Sequence, residues 1–386
     1  MCSQEVGIQM SSKILKGNSR IRGFPINMYN THYHKYGDVQ DLLREYVVIK
    51  TLSQGSTAEV FLAKERATGA LMVVKEQRLE KSDIAFVDRE AMLHSRLHHP
   101  NIVALYETAK NNEVMVLLQE YMGGGELYSA VIPNIGAHPM RVRHYFTQLV
   151  SAIRYMHDVG VAHRDIKLEN VCLDSSKKTA KLVDFGLSEC VNERPGALYK
   201  RHVGTIPYMA AELWYNQDAT YVEVDIKATD VWALGVLLFC LLVGRFPWGE
   251  ASHRSKEYQM YLRHDFTQQP WRTIPDTQST LLIHMLDVNP ARRWTSAQVE
   301  RYIYTHWAVV GEPQNPNADE YPYMGKCRDF KHSRDEHDDS SDSGLGGTHR
   351  LATDSRIESM NTSSNTLYGT HTPVPGGSPH LQALVD

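Results

Sequence analysis

The stretch that most limits what this chain can become is His163-Arg164-Asp165-Ile166-Lys167-Leu168-Glu169-Asn170, which sets a carboxylate, an ammonium and an amide at fixed offsets. Phosphoryl transfer needs that combination. A carboxylate accepts the proton of an attacking hydroxyl, a cation neutralises charge on the moving group, and an amide oxygen can hold a metal ion. Asp165, Lys167 and Asn170 are the candidates for those three tasks. Fourteen residues after Asn170, Asp184-Phe185-Gly186 supplies a second metal-binding carboxylate. Either group alone is a weak signal; the order and the distance give the pair its weight.

Together they resemble the catalytic and metal-binding loops of eukaryotic protein kinases. The resemblance covers residues 45–307 and implies an α+β, bilobal protein kinase fold. A small antiparallel β-sheet N-lobe with one αC helix would occupy 45–122, and a larger, mainly α-helical C-lobe 123–307. It also implies ATP and Mg2+ as cofactors, with Asp165 and Lys167 catalytic and Asn170 and Asp184 as metal ligands.

Further motifs follow in the family's order. Leu52-Ser53-Gln54-Gly55-Ser56-Thr57-Ala58-Glu59-Val60 stands where the family puts its glycine-rich loop over the phosphates, but only the middle glycine is kept. Ser53 and Ala58 restrict φ where glycine would not. Met72-Val73-Val74-Lys75 resembles the strand whose lysine binds the α- and β-phosphates, and Glu90 has the spacing of the αC glutamate that pairs with it. Four positions on, where family members commonly stack an aliphatic residue against the Phe of Asp-Phe-Gly, this chain has His94; a charged imidazole would be costly there. By resemblance Gln119 is the gatekeeper, Glu120 and Met122 offer backbone groups to adenine, Cys172 lies under it, and Gly123-Gly124-Gly125 is a flexible joint between lobes. Glu126 and Glu169 would line the substrate groove and weakly favour basic residues before the target. The apolar spacing over 139–160 predicts the helix that delivers the catalytic loop.

Asp184 to Glu212 reads as the activation segment. Gly204-Thr205-Ile206-Pro207-Tyr208-Met209-Ala210-Ala211-Glu212 matches the family pattern except for Ala211, and Lys167 with Thr205 resembles the serine/threonine class. Glu212 is expected to pair with Arg293, and Asp230 to anchor the catalytic loop from the family's central helix. Arg164 precedes the catalytic Asp, a feature of kinases ordered by a phosphate on this segment. Yet residues 189–203 contain no Ser or Thr, and Arg201 occupies the position three before Gly204. Activity is therefore expected not to need phosphorylation there, and Tyr199 is expected to be an ordinary surface residue.

Composition narrows the rest. With 41 Lys and Arg against 45 Asp and Glu, the net charge of −4 favours neither nucleic acid nor an anionic membrane. Five unpatterned cysteines (Cys2, Cys172, Cys190, Cys240, Cys327) suggest reduced thiols in a cytoplasmic protein rather than a disulfide frame. Cys2 excludes N-myristoylation, and the apolar run from Val231 to Gly244 is short of the roughly 18 residues of a membrane span. A flexible leader over 1–44 and a disordered tail over 312–386 are expected to flank the catalytic region. The stretches Asp230 to Cys240 and Gly244-Arg245-Phe246-Pro247-Trp248 are similar to the SH3-binding-domain kinases, and Pro373-x-Pro375 offers thin support for an SH3-type partner. The expected function is a monomeric serine/threonine protein kinase acting on protein substrates. The alternative is a pseudokinase or scaffold that binds nucleotide or partners without turnover.

Overall fold

The computed structural model describes residues 38–55, 58–79, 84–191, 198–200, 204–214 and 220–307. Strands β1 (Tyr46–Gln54), β2 (Ala58–Glu65), β3 (Leu71–Arg78), β4 (Leu105–Lys110) and β5 (Val114–Glu120) form one antiparallel sheet in the order β1-β2-β3-β5-β4. Its central strand β5 is buried from Val114 to Gln119, and successive side chains point to opposite faces. Val116 and Leu118 join Phe61, Ala63 and Val74 in one core, while Met115 and Leu117 meet Val87 and Ala91 in another. The sheet is thus covered on both sides. Helix α1 (Val39–Arg44) lies on the first face and α2 (Ile84–His94) on the second.

Helix α1 corrects the expected leader. Residues 39–44 are not a flexible arm: Asp38 caps the helix by accepting from Gln40 N, and Val39, Leu42 and Leu43 are buried. Their i, i+3, i+4 spacing is the apolar stripe of a docked helix. The remainder of that leader and the expected tail lie outside the described residues.

The second lobe is built on α3 (Pro139–Asp158) and α4 (Ile226–Val243), with α5 (Lys256–Leu262), α6 (Asp276–Met285) and α7 (Ser296–His306) around them. Helix α4 starts at its N-cap Asp225, whose carboxylate accepts from Lys227 N and Ala228 N, and ends at left-handed Gly244. It begins five residues before the apolar run that marks it in the sequence. At eighteen residues it is long and apolar enough to cross a membrane, but 89% of it is buried inside the lobe. A helix apolar all round belongs in a core.

Short strands finish the lobe: β6 (Gly125–Glu126), β8 (Val171–Leu173) and β9 (Ala180–Leu182) form one sheet, β7 (Val161–Ala162) pairs with β10 (Glu189–Cys190), and β11 (Leu198–Lys200) with β12 (Tyr221–Glu223). The lobes are tied where Val103 N donates to Leu182 O (3.0 Å) and Leu182 N to Asn101 O (2.9 Å).

Candidate active site

The catalytic loop leaves β7 and is fixed mostly through its own backbone. Buried Asp230 on α4 accepts from His163 N at Oδ2 and from Arg164 N at Oδ1, both at 2.8 Å, and its Oδ2 also meets His157 Nε2 at 3.0 Å. That is the anchoring role expected of Asp230. It holds Arg164 at φ +69°, a left-handed conformation an arginine adopts only when its surroundings impose it. Farther along, Leu168 N donates to the Tyr208 hydroxyl.

Within this frame the functional side chains converge on Asp165. Asn170 Nδ2 donates to its backbone oxygen (2.8 Å) and to its Oδ2 (2.9 Å), and Lys167 Nζ lies 2.8 Å from Oδ2. Thr205 donates to Oδ1 (3.1 Å) and accepts from Lys167 Nζ (3.0 Å). The segment bearing Thr205 approaches so closely that a Cβ on Gly204 would sit 2.8 Å from Arg164 O, and its φ is +95°. Only glycine fits there.

Val183 N donates to Asn170 O (3.0 Å), which carries Asp184 to the same place. Lys75 Nζ donates to Asp184 Oδ1 (2.9 Å) and to Glu90 Oε1 (2.7 Å), while Gln77 Nε2 holds Glu90 Oε2 (2.7 Å). Strand, helix and loop therefore meet in one charged cluster. Burial opposes the charge on Lys75, but the carboxylates of Glu90 and Asp184 outweigh it and raise its pKa above the ordinary lysine value. Lys75 in turn holds the Asp184 carboxyl down to about 2, against the opposing effect of burial. Both groups carry full charge at neutral pH.

His94 packs on Phe185 with ring centroids 4.4 Å apart, and Phe185 meets His163 edge-on at 5.4 Å. Burial pushes the His94 pKa down to about 4, so the ring is neutral, and its Nε2–H donates to Val103 O (2.8 Å). The histidine fills the aliphatic position as an uncharged aromatic.

The donor set fits a magnesium ion brought in with phosphate. Both Nδ2 hydrogens of Asn170 are committed to Asp165, so its amide oxygen is the atom it can offer, and the half-exposed Asp184 offers carboxylate oxygen. Mg2+ characteristically takes one or two such protein groups and completes its shell with phosphates and water. Among the described residues no three His, Cys, Asp or Glu side chains form a metal cluster by themselves.

The remaining positions are less uniform. Ser53, Gln54 and Gly55 end one side of a hairpin and Ala58, Glu59 and Val60 begin the other, closed by Gly55 N to Ala58 O at 2.8 Å; Ser56 and Thr57 lie outside the described residues. Leu52 is exposed, and Glu59 is taken up by Arg78 (2.8 Å) and Gln54 (3.3 Å). The Glu120 carboxylate accepts from Lys181 Nζ and from Ala104 N, and Met122 is buried in the core. Cys172 is an inert packing thiol, raised to about 11 by burial and by Glu126. The glycines after Met122 are not simply a flexible joint: Gly124 N donates to Leu173 O, and a Cβ on it would meet Asp174 O at 2.1 Å. Gly124 permits close approach of the two backbones.

In the activation segment the Glu212–Arg293 pair is formed, with Arg293 side chain fully buried and donating to both carboxylate oxygens at 2.7 and 2.8 Å. Tyr199 is a correction. It is 6% exposed, clusters with Ala162 and Ile226, and lies under the Arg164 guanidinium at 5.7 Å. Pairing of β11 with β12 turns it inward. The residue that motif reading misses is Glu189, which receives hydrogen bonds from both Arg164 and Arg89. Its signal in the sequence was the lack of any Ser or Thr over residues 189–203 to carry a phosphate opposite Arg164.

The family described as protein kinase domain matches residues 46–305. The chain is 31% identical over 308 residues to NUAK family SNF1-like kinase 1 of Homo sapiens, covering 78% of this chain and 44% of that protein. It is 33% identical over 268 residues to the serine/threonine-protein kinase CHK1 of Saccharomyces cerevisiae, covering 66% and 49%. A CBL-interacting serine/threonine-protein kinase 19 of Arabidopsis thaliana is 34% identical over 275 residues, covering 70% and 54%. The chain spans about half the length of these curated relatives. A two-lobed fold, an aspartate-centred loop and a lysine–glutamate–aspartate cluster, matched over two-thirds of the sequence, have one reading: this chain belongs to the protein kinase domain family.

Proposed function

We propose that this chain is a serine/threonine protein kinase that transfers the γ-phosphoryl group of Mg-ATP to Ser and Thr hydroxyls of proteins. The observation that carries this reading is the convergence of Lys167, Asn170 and Thr205 on the Asp165 carboxylate, beside the Lys75–Asp184 pair. Asp165 orients the acceptor hydroxyl and takes its proton as that oxygen bonds to the γ-phosphorus. The bond to the β–γ bridging oxygen breaks, and ADP leaves. Lys167 neutralises charge on the moving group, while Lys75, held by Glu90, carries the charge of the other phosphates. Magnesium, held by Asp184 and Asn170, would supply charge neutralisation at the phosphate oxygens. Catalysis is then chiefly positioning and electrostatics.

Around this centre the finer reading is as follows. The catalytic region is 45–307, with the β1–β2 hairpin over the phosphates and the Glu120–Met122 backbone at adenine. Burial and the neighbouring Glu169 raise the carboxyl pKa of Glu126, so a basic side chain placed between them would relieve their repulsion. Substrates with Arg or Lys before the target are favoured. The enzyme is a cytoplasmic monomer similar to the SH3-binding-domain kinases, and the Pro373–Pro375 segment takes an SH3-type partner.

The test is incubation of the purified chain with γ-labelled ATP, Mg2+ and a generic basic protein. The expected result is label on serine and threonine, with one ADP per phosphate transferred. Nucleotide binding without transfer would replace this reading with that of a scaffold.

A further inference from the structure

Glu189 opens β10 opposite Ala162 of β7, the residue immediately before the catalytic loop. That register carries its carboxylate into a space between two arginines from different elements. Oε2 accepts from Arg164 of the catalytic loop at 2.6 Å, and Oε1 accepts from Arg89 of α2 at 3.0 Å. Arg164 is nearly buried there, its side chain 6% exposed, with the Tyr199 ring beneath it. An arginine cannot shed its charge, and the two guanidiniums oppose one another across this space. A fixed anion between them converts that repulsion into two charge-assisted hydrogen bonds.

The consequence reaches the chemistry along two short paths. Arg89 is the neighbour of Glu90, which holds Lys75. Arg164 is the neighbour of Asp165, and its backbone is held by Asp230. One carboxylate thus joins the helix that fixes the phosphate lysine to the loop that carries the base. No Ser or Thr lies between Glu189 and Val203 to supply a phosphate for the same arginine.

We propose that Glu189 is a positioning residue that acts as a built-in anion in place of an activating phosphate. It locks α2 against the catalytic loop, so that the enzyme is assembled as translated. This rests on the kinase reading above and adds its mode of control.

The experiment uses the full chain, phosphatase-treated and checked by intact mass. Wild type is expected to keep its kcat within about twofold, whereas Glu189→Gln loses about ten- to a hundredfold in kcat with a smaller change in peptide KM. Glu189→Asp, charged but one methylene short, regains part of the loss. Arg89→Gln, at the other end of the same ion pair, shows the same defect, and the double variant is no worse than either single one. Hydrogen exchange of the α2 amides is faster in both single variants than in wild type. A Glu189→Gln enzyme with wild-type kcat and unchanged α2 exchange overturns the proposal, as does wild-type activity abolished by phosphatase. Should wild type transfer no phosphate at all, the kinase reading fails, and the α2 exchange comparison still decides the role of Glu189. Should Glu189→Gln fail to fold, Arg89→Gln carries both readouts.

Discussion

The catalytic loop and the β1–β2 hairpin both lie at the proposed site, and they are held in opposite ways. The loop is fixed along its length: by Asp230 at its start, by Thr205 and its own Asn170 around its carboxylate, and by Tyr208 near its end. The tip of the hairpin, beyond the β1–β2 ladder, closes on one described backbone bond, its β1 side chains are exposed from Ile49 onward, and its register slips twice along β1. A proton and a phosphoryl group can move only between atoms placed to a fraction of an ångström, so the loop is over-determined. A hairpin whose proposed task is only to lay backbone over phosphates is expected to tolerate Ser53 and Ala58 in place of glycine. Two of the departures from the family pattern, Ser53 and Ala58, fall in this hairpin, while none falls on Asp165, Lys167 or Asn170.

Removing the anchor should break this contrast most visibly. Asp230→Ala orphans two buried N–H groups, at about 1–3 kcal/mol each, and lets Asp165 drift. We expect kcat to fall about a hundredfold or more, read by steady-state kinetics beside a urea melt. A variant with normal kcat would mean that the loop is held by other contacts.

His94 tests the packing between α2 and Phe185. The folded ring titrates near 4 and an unfolded histidine near 6.5, so the unfolded chain binds more protons in that window. The stabilisation is complete above pH 6.5 and is lost as pH falls toward 4, amounting to about 3 kcal/mol. His94→Leu should flatten that part of a pH-dependent denaturation series. Identical slopes in the two proteins would place the acid sensitivity elsewhere.

The smallest effect belongs to the hairpin. Ala58→Gly restores a family glycine on a strand that already pairs, and the KM for ATP should move by less than about fivefold. A tenfold improvement would show that the hairpin is as demanding as the loop.

Much of this was legible in the sequence because the chemistry dictates residue types. Asp165, Lys167, Asn170, Asp184, Lys75 and Glu90 announce themselves by charge and spacing, and the structure joins them. Glu212 with Arg293 and Asp230 with the loop backbone were readable for the same reason. What was hidden depends on register. Glu189 matters only because β10 pairs with β7, and nothing local to Ser188-Glu189-Cys190 says so. Tyr199 reads as a surface hydroxyl until β12 turns it under Arg164. Three consecutive glycines suggest freedom, yet the turn at Asp174 and Ser175 fills the space that side chains on Gly123 and Gly124 would need. Helix α1 is six residues long, too short for its periodicity to stand out.

The most direct measurement is label transfer from γ-labelled ATP to a serine peptide by wild type and by Asp165→Asn, with nucleotide affinity measured on both. The account predicts that the variant binds Mg-ATP as wild type does while transfer falls by about 10²- to 10⁴-fold. Transfer at the wild-type rate by Asp165→Asn would contradict it.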